Sequence, residues 1–242
     1  MTAHATTPPP LAPATVAVLS TRGLTKTYGM TTALAGVDLD LLTGQSVAIM
    51  GASGSGKTTL LHCLAGIVRP SSGRVVLSTS QGPIEVSALP DGQRSRLRRE
   101  RLGFVFQEGL LIPELTAVEN VAMALMLRGV GRAAAEHHAA LWLQHLGLAG
   151  MEDRRIGQLS GGQAQRVAIA RAQVTGAEVV FADEPTGALD HDTSRDVMQA
   201  LLHATVGRTL VVVTHDDAVA AQCARVIRLR DGRIVGDTVE RS

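Results

Sequence analysis

The chain has 242 residues, 45% hydrophobic and 2% aromatic, with 23 basic against 22 acidic side chains and a net charge of +1. That length fits one large α/β domain or two small ones with a substantial core, while the balanced charge excludes a global pull toward nucleic acid or anionic membrane. Scarce aromatics argue against base stacking, and no apolar run approaches the ~18 residues of a membrane helix.

Residues 1–15, with Thr6-Thr7-Pro8-Pro9-Pro10, read as a disordered leader without the basic start and apolar middle of a signal peptide. Residues 16–20 and 37–41 read as strands, with a polar turn at Thr27-Tyr28-Gly29 between them, which predicts an antiparallel β layer. Residues 46–50 form a short apolar strand, and 59–66 have helical character with a glycine stop. A loop at 69–73 leads to a strand at 74–77, an arginine-rich helix at 88–101 and a buried strand at 102–106. Helices at 116–127 and 132–146, the second with an apolar stripe of Leu141, Trp142, Leu146 and Leu148, look like an inserted helical subdomain at about 108–175. A helix from Gly161 to Thr175, a strand at 179–182, a helix at 193–204, a strand at 209–213, a helix at 218–224 and a strand at 226–229 then complete an alternation that argues for a mostly parallel sheet. Arg94, Arg98 and Arg101 share one helical face and read as solvated, with contact to a partner or lipid headgroups as the lesser option. His137, His138, His145 and His203 lack metal-ligand spacing and read as surface residues, while Cys63 and Cys223 are too isolated for a disulfide framework and suggest a reducing cytosol.

Between the strand at 46–50 and the following helix lies Gly51-Ala52-Ser53-Gly54-Ser55-Gly56-Lys57-Thr58, which fits G-x-x-x-x-G-K-[ST] in the context that motif requires. Its glycines let backbone N–H groups turn inward, Lys57 can reach the β- and γ-phosphates, and Thr58 can ligate Mg²⁺. A chain with 25 glycines could match by chance, but only Lys26 and Lys57 are lysines among the 23 basic residues, so a generic positive charge here would have been arginine. The strand at 179–182 ends in Asp183-Glu184: an Asp there helps hold Mg²⁺ in P-loop enzymes, and the next carboxylate can polarise an attacking water. Leu159-Ser160-Gly161-Gly162-Gln163 opens another helix with its amides free of bulky side chains, a second start able to meet phosphate. One nucleotide can use both only if the second comes from another subunit or another part of the molecule.

Leu159 to Gln163, followed by Gln165-Arg166-Val167-Ala168-Ile169-Ala170-Arg171-Ala172, resembles the signature motif of ATP-binding cassette (ABC) ATPases. The resemblance runs from about Leu19 to Gly236 with every motif in family order. It implies an α/β P-loop NTPase cassette with a mostly parallel core sheet, an N-terminal antiparallel β layer and an inserted helical subdomain, filling residues 16–242. It also implies that Tyr28 stacks on adenine, that Gly51 to Thr58 with Thr59 bind ATP, and that Gln107 senses Mg²⁺ and the membrane partner. Ser160, Gly161, Gly162 and Gln163 would bind the ATP of a second cassette in a head-to-tail dimer. Thr58, Gln107 and Asp183 would hold Mg²⁺, Glu184 would be the catalytic base, Ala188-Leu189-Asp190 the D-loop, and His215 the switch histidine. Ala188 stands where a polar residue is usual, and Ala164 replaces a common Gln.

Gly103-Phe104-Val105-Phe106-Gln107, Leu115-Thr116-Ala117-Val118-Glu119-Asn120-Val121 and Asp183-Glu184-Pro185-Thr186-Gly187 resemble the macrolide-export, lipoprotein-release and antimicrobial-peptide-export branch. That likeness implies a subunit that hydrolyses ATP to drive a transmembrane permease, located on the cytoplasmic face of the membrane and touching it only through the permease. The rival readings are the ATPase of an importer and a soluble ABC ATPase acting on nucleic acid or ribosomes; a long coiled coil or a second cassette, usual in the latter, is absent, and no nucleic-acid partner is expected.

Overall fold

The computed structural model describes residues 17–238, so the expected leader lies outside the described residues. β1 (Ala17–Tyr28) and β2 (Thr31–Leu42) form an antiparallel hairpin that turns at Gly29-Met30. Thr27 and Tyr28 therefore belong to the strand, not to the turn. Both strands are longer than their apolar patterns indicate, because four register shifts along the pair interrupt the alternation by which a strand is read. β4 (Ser72–Thr79) pairs with β1, and β5 (Gly82–Glu85) with β4, completing a four-stranded antiparallel sheet.

The second sheet has the order β10-β9-β3-β8-β7-β6. Its members are β3 (Ser46–Met50), β6 (Leu102–Phe106), β7 (Val179–Asp183), β8 (Thr209–Thr214), β9 (Arg225–Arg230) and β10 (Arg233–Asp237). All pairs are parallel except β9 with β10. The interior strands β3, β7 and β8 read as unbroken apolar runs because both faces are covered. Alternation assigns each residue to a side: Ala48, Met50, Val180, Ala182, Leu210 and Val212 join one core cluster. Val47, Ile49, Val179, Phe181, Val211 and Val213 join the other, with the antiparallel sheet and α1 (Lys57–Leu64).

The first cluster is closed by α3 (Ala117–Met126), α4 (Arg132–His145), α5 (Gly161–Gln173) and α6 (His191–Ala204). Thr116 and Glu119 form a capping box that fixes the start of α3, and the Asp190 carboxylate accepts from two N–H groups at the start of α6. On α4 the buried line is Ala135, Ala139 and Leu143, continued by Leu146. Leu141 is half exposed, which corrects its place in the expected stripe. Among the described residues no helix is long and apolar enough to cross a membrane.

The arginine face of α2 (Asp91–Arg101) also needs correction. Arg94 is buried against the chain and pairs with Asp91, Arg98 donates to the Gly66 carbonyl at 2.6 Å, and Arg101 pairs with Glu178. The helix lies back on the end of α1, so long alkyl stems cover apolar surface while the guanidinium groups find carbonyls and carboxylates. It starts at Asp91, three residues later than expected, because residues 86–88 make a 3₁₀ turn and Pro90 stands at the N-cap. α7 (Asp217–Ala220) is only four residues long.

Candidate active site

Parallel pairing brings the ends of four strands into one row. Met50 is opposite Thr214, Val213 opposite Asp183, and Asp183 opposite Phe106. The residues that leave these strands, Gly51, His215, Glu184 and Gln107, therefore emerge along one sheet edge, where open α/β sheets place their ligands. A cleft of about 640 Å³ opens there, lined by Ala33, Ala52, Ser53, Gly54, Gly56, Lys57, Thr58, Thr59, Glu184 and His215.

The loop from Gly51 to Gly56 is held in a shape that side chains would destroy. Gly56 has φ +101°, and a Cβ there would stand 2.3 Å from the Ala33 carbonyl of β2. A Cβ on Gly51 would meet the Leu229 carbonyl at 2.2 Å. Lys57 is 9% exposed, and its ammonium donates to the carbonyls of Gly51 at 2.7 Å and Ala52 at 3.0 Å, so the cation is stored inside the loop without a carboxylate. The Ser55 hydroxyl is buried without a hydrogen-bond partner, and no side chain caps the N-terminus of α1. An unsatisfied donor, an uncapped helix start and a buried cation in one cradle fit a polyphosphate.

Thr58 Oγ1 lies 3.4 Å from Asp183 Oδ1, two hard oxygen donors side by side, and this pair fits a small divalent cation. Burial raises the Asp183 carboxyl above its ordinary value of 3.8, with His62 and the Thr58 hydroxyl pulling the other way. The folded chain thus holds that proton more tightly than the unfolded chain does, and stability falls as pH rises from 3.8 through the raised value. At neutral pH the ionised, buried group is a standing strain that a cation would relieve. Asp183→Asn is therefore expected to melt above the parent at pH 7 in the absence of metal, with the gap closing below pH 3.8. Thermal melts across pH check this, and coincident melting at pH 7 would refute it.

Glu184 has φ +47°, a left-handed conformation uncommon for a non-glycine residue. It is held by its N–H donating to the Val213 carbonyl at 2.9 Å and its carbonyl accepting from Gly187 at 3.1 Å. Its Oε1 is 2.8 Å from Nδ1 of the exposed His215. Gln107 is exposed and outside the cleft lining, with its amide against Gly187, where a Cβ would approach Nε2 to 3.1 Å. Tyr28 also lies outside the lining, about half exposed, with Lys26 Nζ 4.9 Å from its ring centre.

Ser160, Gly161, Gly162 and Gln163 sit at the start of α5 and do not line this cleft. Their amides are less open than expected: Ser160 and Gln163 form a capping box in which the hydroxyl accepts from the Gln163 N–H at 3.3 Å and the Gln163 side chain accepts from the Ser160 N–H at 2.9 Å. The S-x-x-Q spacing carried that signal in the sequence. Both cysteine thiols are pushed up to about 11 by burial and are unreactive at neutral pH.

A glycine-rich loop facing an acidic strand end across one cleft defines a P-loop nucleoside-triphosphate hydrolase. The ABC transporter family matches residues 34–187, and the chain belongs to that family; it is an ATP-binding, ATP-hydrolysing cassette. It is 48% identical over 202 residues to the macrolide export ATP-binding/permease protein MacB of Burkholderia pseudomallei (strain 1710b), a match covering 83% of this chain and 30% of that protein. It is 43% identical over 229 residues to the pyoverdine export ATP-binding/permease protein PvdT of Pseudomonas syringae pv. syringae (strain B728a), covering 92% and 34%. The chain thus spans about a third of the length of these curated relatives. The dimeric post-hydrolysis state of the ATP-binding cassette MJ0796 bound to ADP and Pi superposes with a TM-score of 0.82 at 38% identity, covering 93% of this chain and 99% of that one.

Proposed function

We propose that this chain, as one cassette over residues 16–242 with a helical subdomain at about 108–175, powers an export or mechanotransmission permease from the cytoplasmic face of the membrane. Two copies pair head to tail, each ATP lying between residues 51–59 and Tyr28 of one copy and Ser160, Gly161, Gly162 and Gln163 of the other. The observation that carries the reading is the Glu184 carboxylate, held by His215 at the mouth of the phosphate loop. The dimeric MJ0796 cassette and the export relatives support the assembly.

Thr58, Asp183 and Gln107 would hold Mg²⁺, which when bound neutralises charge on the phosphates. The loop amides and the Lys57 ammonium take the β- and γ-phosphates, exchanging the Gly51 and Ala52 carbonyls for phosphate oxygens. Glu184 accepts the proton of the attacking water as its oxygen bonds to the γ-phosphorus and the bond to ADP breaks. His215, freed from Glu184, donates to the γ-phosphate and holds it in line.

Affinity purification from the native membrane with mass spectrometry tests the assembly. A permease with few membrane helices and a large external domain is the expected companion. An importer permease with a solute-binding protein would reverse the direction, and recovery of only ribosomes or DNA would sink the transport reading.

A further inference from the structure

Lys26 is the other lysine among the 23 basic residues, and nothing in the proposed reaction uses it. It stands near the end of β1, and Tyr28 follows two residues on, on the same side of the strand. The Lys26 ammonium lies over the Tyr28 ring, 4.9 Å from its centre, and also donates to the Arg69 carbonyl at 3.0 Å. A carbonyl dipole thus holds the cation on one face of the ring.

The backbone around this pair is tied to both ends of α1. The Ser71 N–H donates to the Thr25 carbonyl at 2.8 Å and the Thr27 N–H donates to the Ser71 hydroxyl at 3.1 Å, lacing β1 to the loop after α1. Across the hairpin the register steps from Lys26 opposite Leu34 to Thr27 opposite Thr32, so Ala33 is an unopposed bulge residue. Ala33 lines the phosphate cleft, and its carbonyl is the atom that a Cβ on Gly56 would strike. Tyr28 is therefore placed relative to the phosphate loop on one side and to residues 69–71 on the other. About half of its surface stays exposed, so a ring with one face under an ammonium offers the other to a ligand.

An aromatic face carries negative charge density, and a cation over one face draws that density toward itself. The opposite face then repels the π cloud of a stacked base less. A ring already held in place also loses less freedom when the base arrives.

We infer that Lys26 is a positioning residue for the nucleotide base: anchored on the Arg69 carbonyl, it backs one face of Tyr28 and prepares the other for a purine ring. This rests on the stacking role proposed above for Tyr28. The base does not touch Lys26 in this arrangement, and the ammonium stays partly exposed on its own side of the ring.

Isothermal titration calorimetry of the full chain with ADP and with pyrophosphate, both with Mg²⁺, separates base from phosphate. Lys26→Gln keeps a donor for the Arg69 carbonyl and loses the charge. It should weaken ADP by about 2- to 5-fold, the worth of an exposed cation–π contact, and leave pyrophosphate unchanged. Lys26→Arg, whose guanidinium can lie flat on the ring, should stay near the parent for both ligands. Tyr28→Leu should weaken ADP by at least about 5-fold, and Lys26→Gln added to it should change nothing further. Equal losses of ADP and pyrophosphate in Lys26→Gln would make the residue part of the phosphate cradle or of the fold, and overturn the inference. So would an unchanged ADP affinity in Lys26→Gln beside a clear loss in Tyr28→Leu, with the stacking role of Tyr28 left standing. An unchanged ADP affinity in Tyr28→Leu would remove that stacking role and the inference with it.

Discussion

Replacement of Glu184 by glutamine is expected to slow steady-state phosphate release by about 10²–10⁴-fold, the range contributed by a positioned general base. Glutamine keeps the size of the side chain and its left-handed backbone, and it can still hydrogen-bond His215, so the geometry of the cleft survives and only the proton acceptor is lost. ATP affinity should stay near the parent value, because the loop and Lys57, proposed to grip the phosphates, are untouched. If two copies close on ATP, a nucleotide-dependent dimer should accumulate and be visible by light scattering. Unchanged turnover would remove Glu184 from the chemistry; lost binding would instead indicate a collapsed site.

The second large effect falls on stability. Phe181→Ala is expected to cost about 3–5 kcal/mol, the range for emptying a buried phenyl site. Phe181 is 1% exposed in β7, the interior strand that ends at Asp183 just before Glu184. Its ring stacks on Phe104 with centres 5.8 Å apart, and Phe104 stacks in turn on Phe106 at 5.9 Å, so one truncation loosens a file of three rings beside Gln107. Domains hold only ~5–15 kcal/mol in reserve, so a large share of the total disappears. Urea denaturation reads the loss as a lower midpoint at constant slope. A loss below about 1 kcal/mol would mean that the neighbours close the space.

These two residues mark the two kinds of legibility in the sequence. Glu184 was readable because it follows an apolar strand and a phosphate-loop motif, both local patterns. The interior strands β3, β7 and β8 were readable because burial on both faces leaves unbroken apolar runs, and the edge strand β6 because it too is apolar throughout. The edge strands β5 and β10, Gly-Pro-Ile-Glu and Arg-Ile-Val-Gly-Asp, were not, since short polar segments that pair on one side carry no hydrophobic period. The arginines of α2 misled for a related reason: helical periodicity places Arg94 and Arg98 on one face but does not say that the end of α1 lies beneath it. Local spacing likewise had no means of revealing that Gln165 and Arg171 reach carbonyls about sixty positions earlier in the chain. Lys57 was assigned to phosphate, whereas its storage on two loop carbonyls required coordinates.

That storage has a practical side, because arginine supplies nearly all the positive charge and the sequence holds just two ε-amines. Lys26 lies on the open hairpin, bonded to the Arg69 carbonyl at 3.0 Å, and Lys57 is sealed at the bottom of the cleft. Guanidinium groups do not react with an amine-acylating reagent. Labelling of the ε-amines therefore splits into a fast component at the hairpin, which serves as an internal standard, and a slow one whose rate is expected to follow nucleotide occupancy. On the transport reading proposed above, mass spectrometry of two peptides would thus count how many cleft sites are filled in the membrane-embedded assembly, with no engineered reporter.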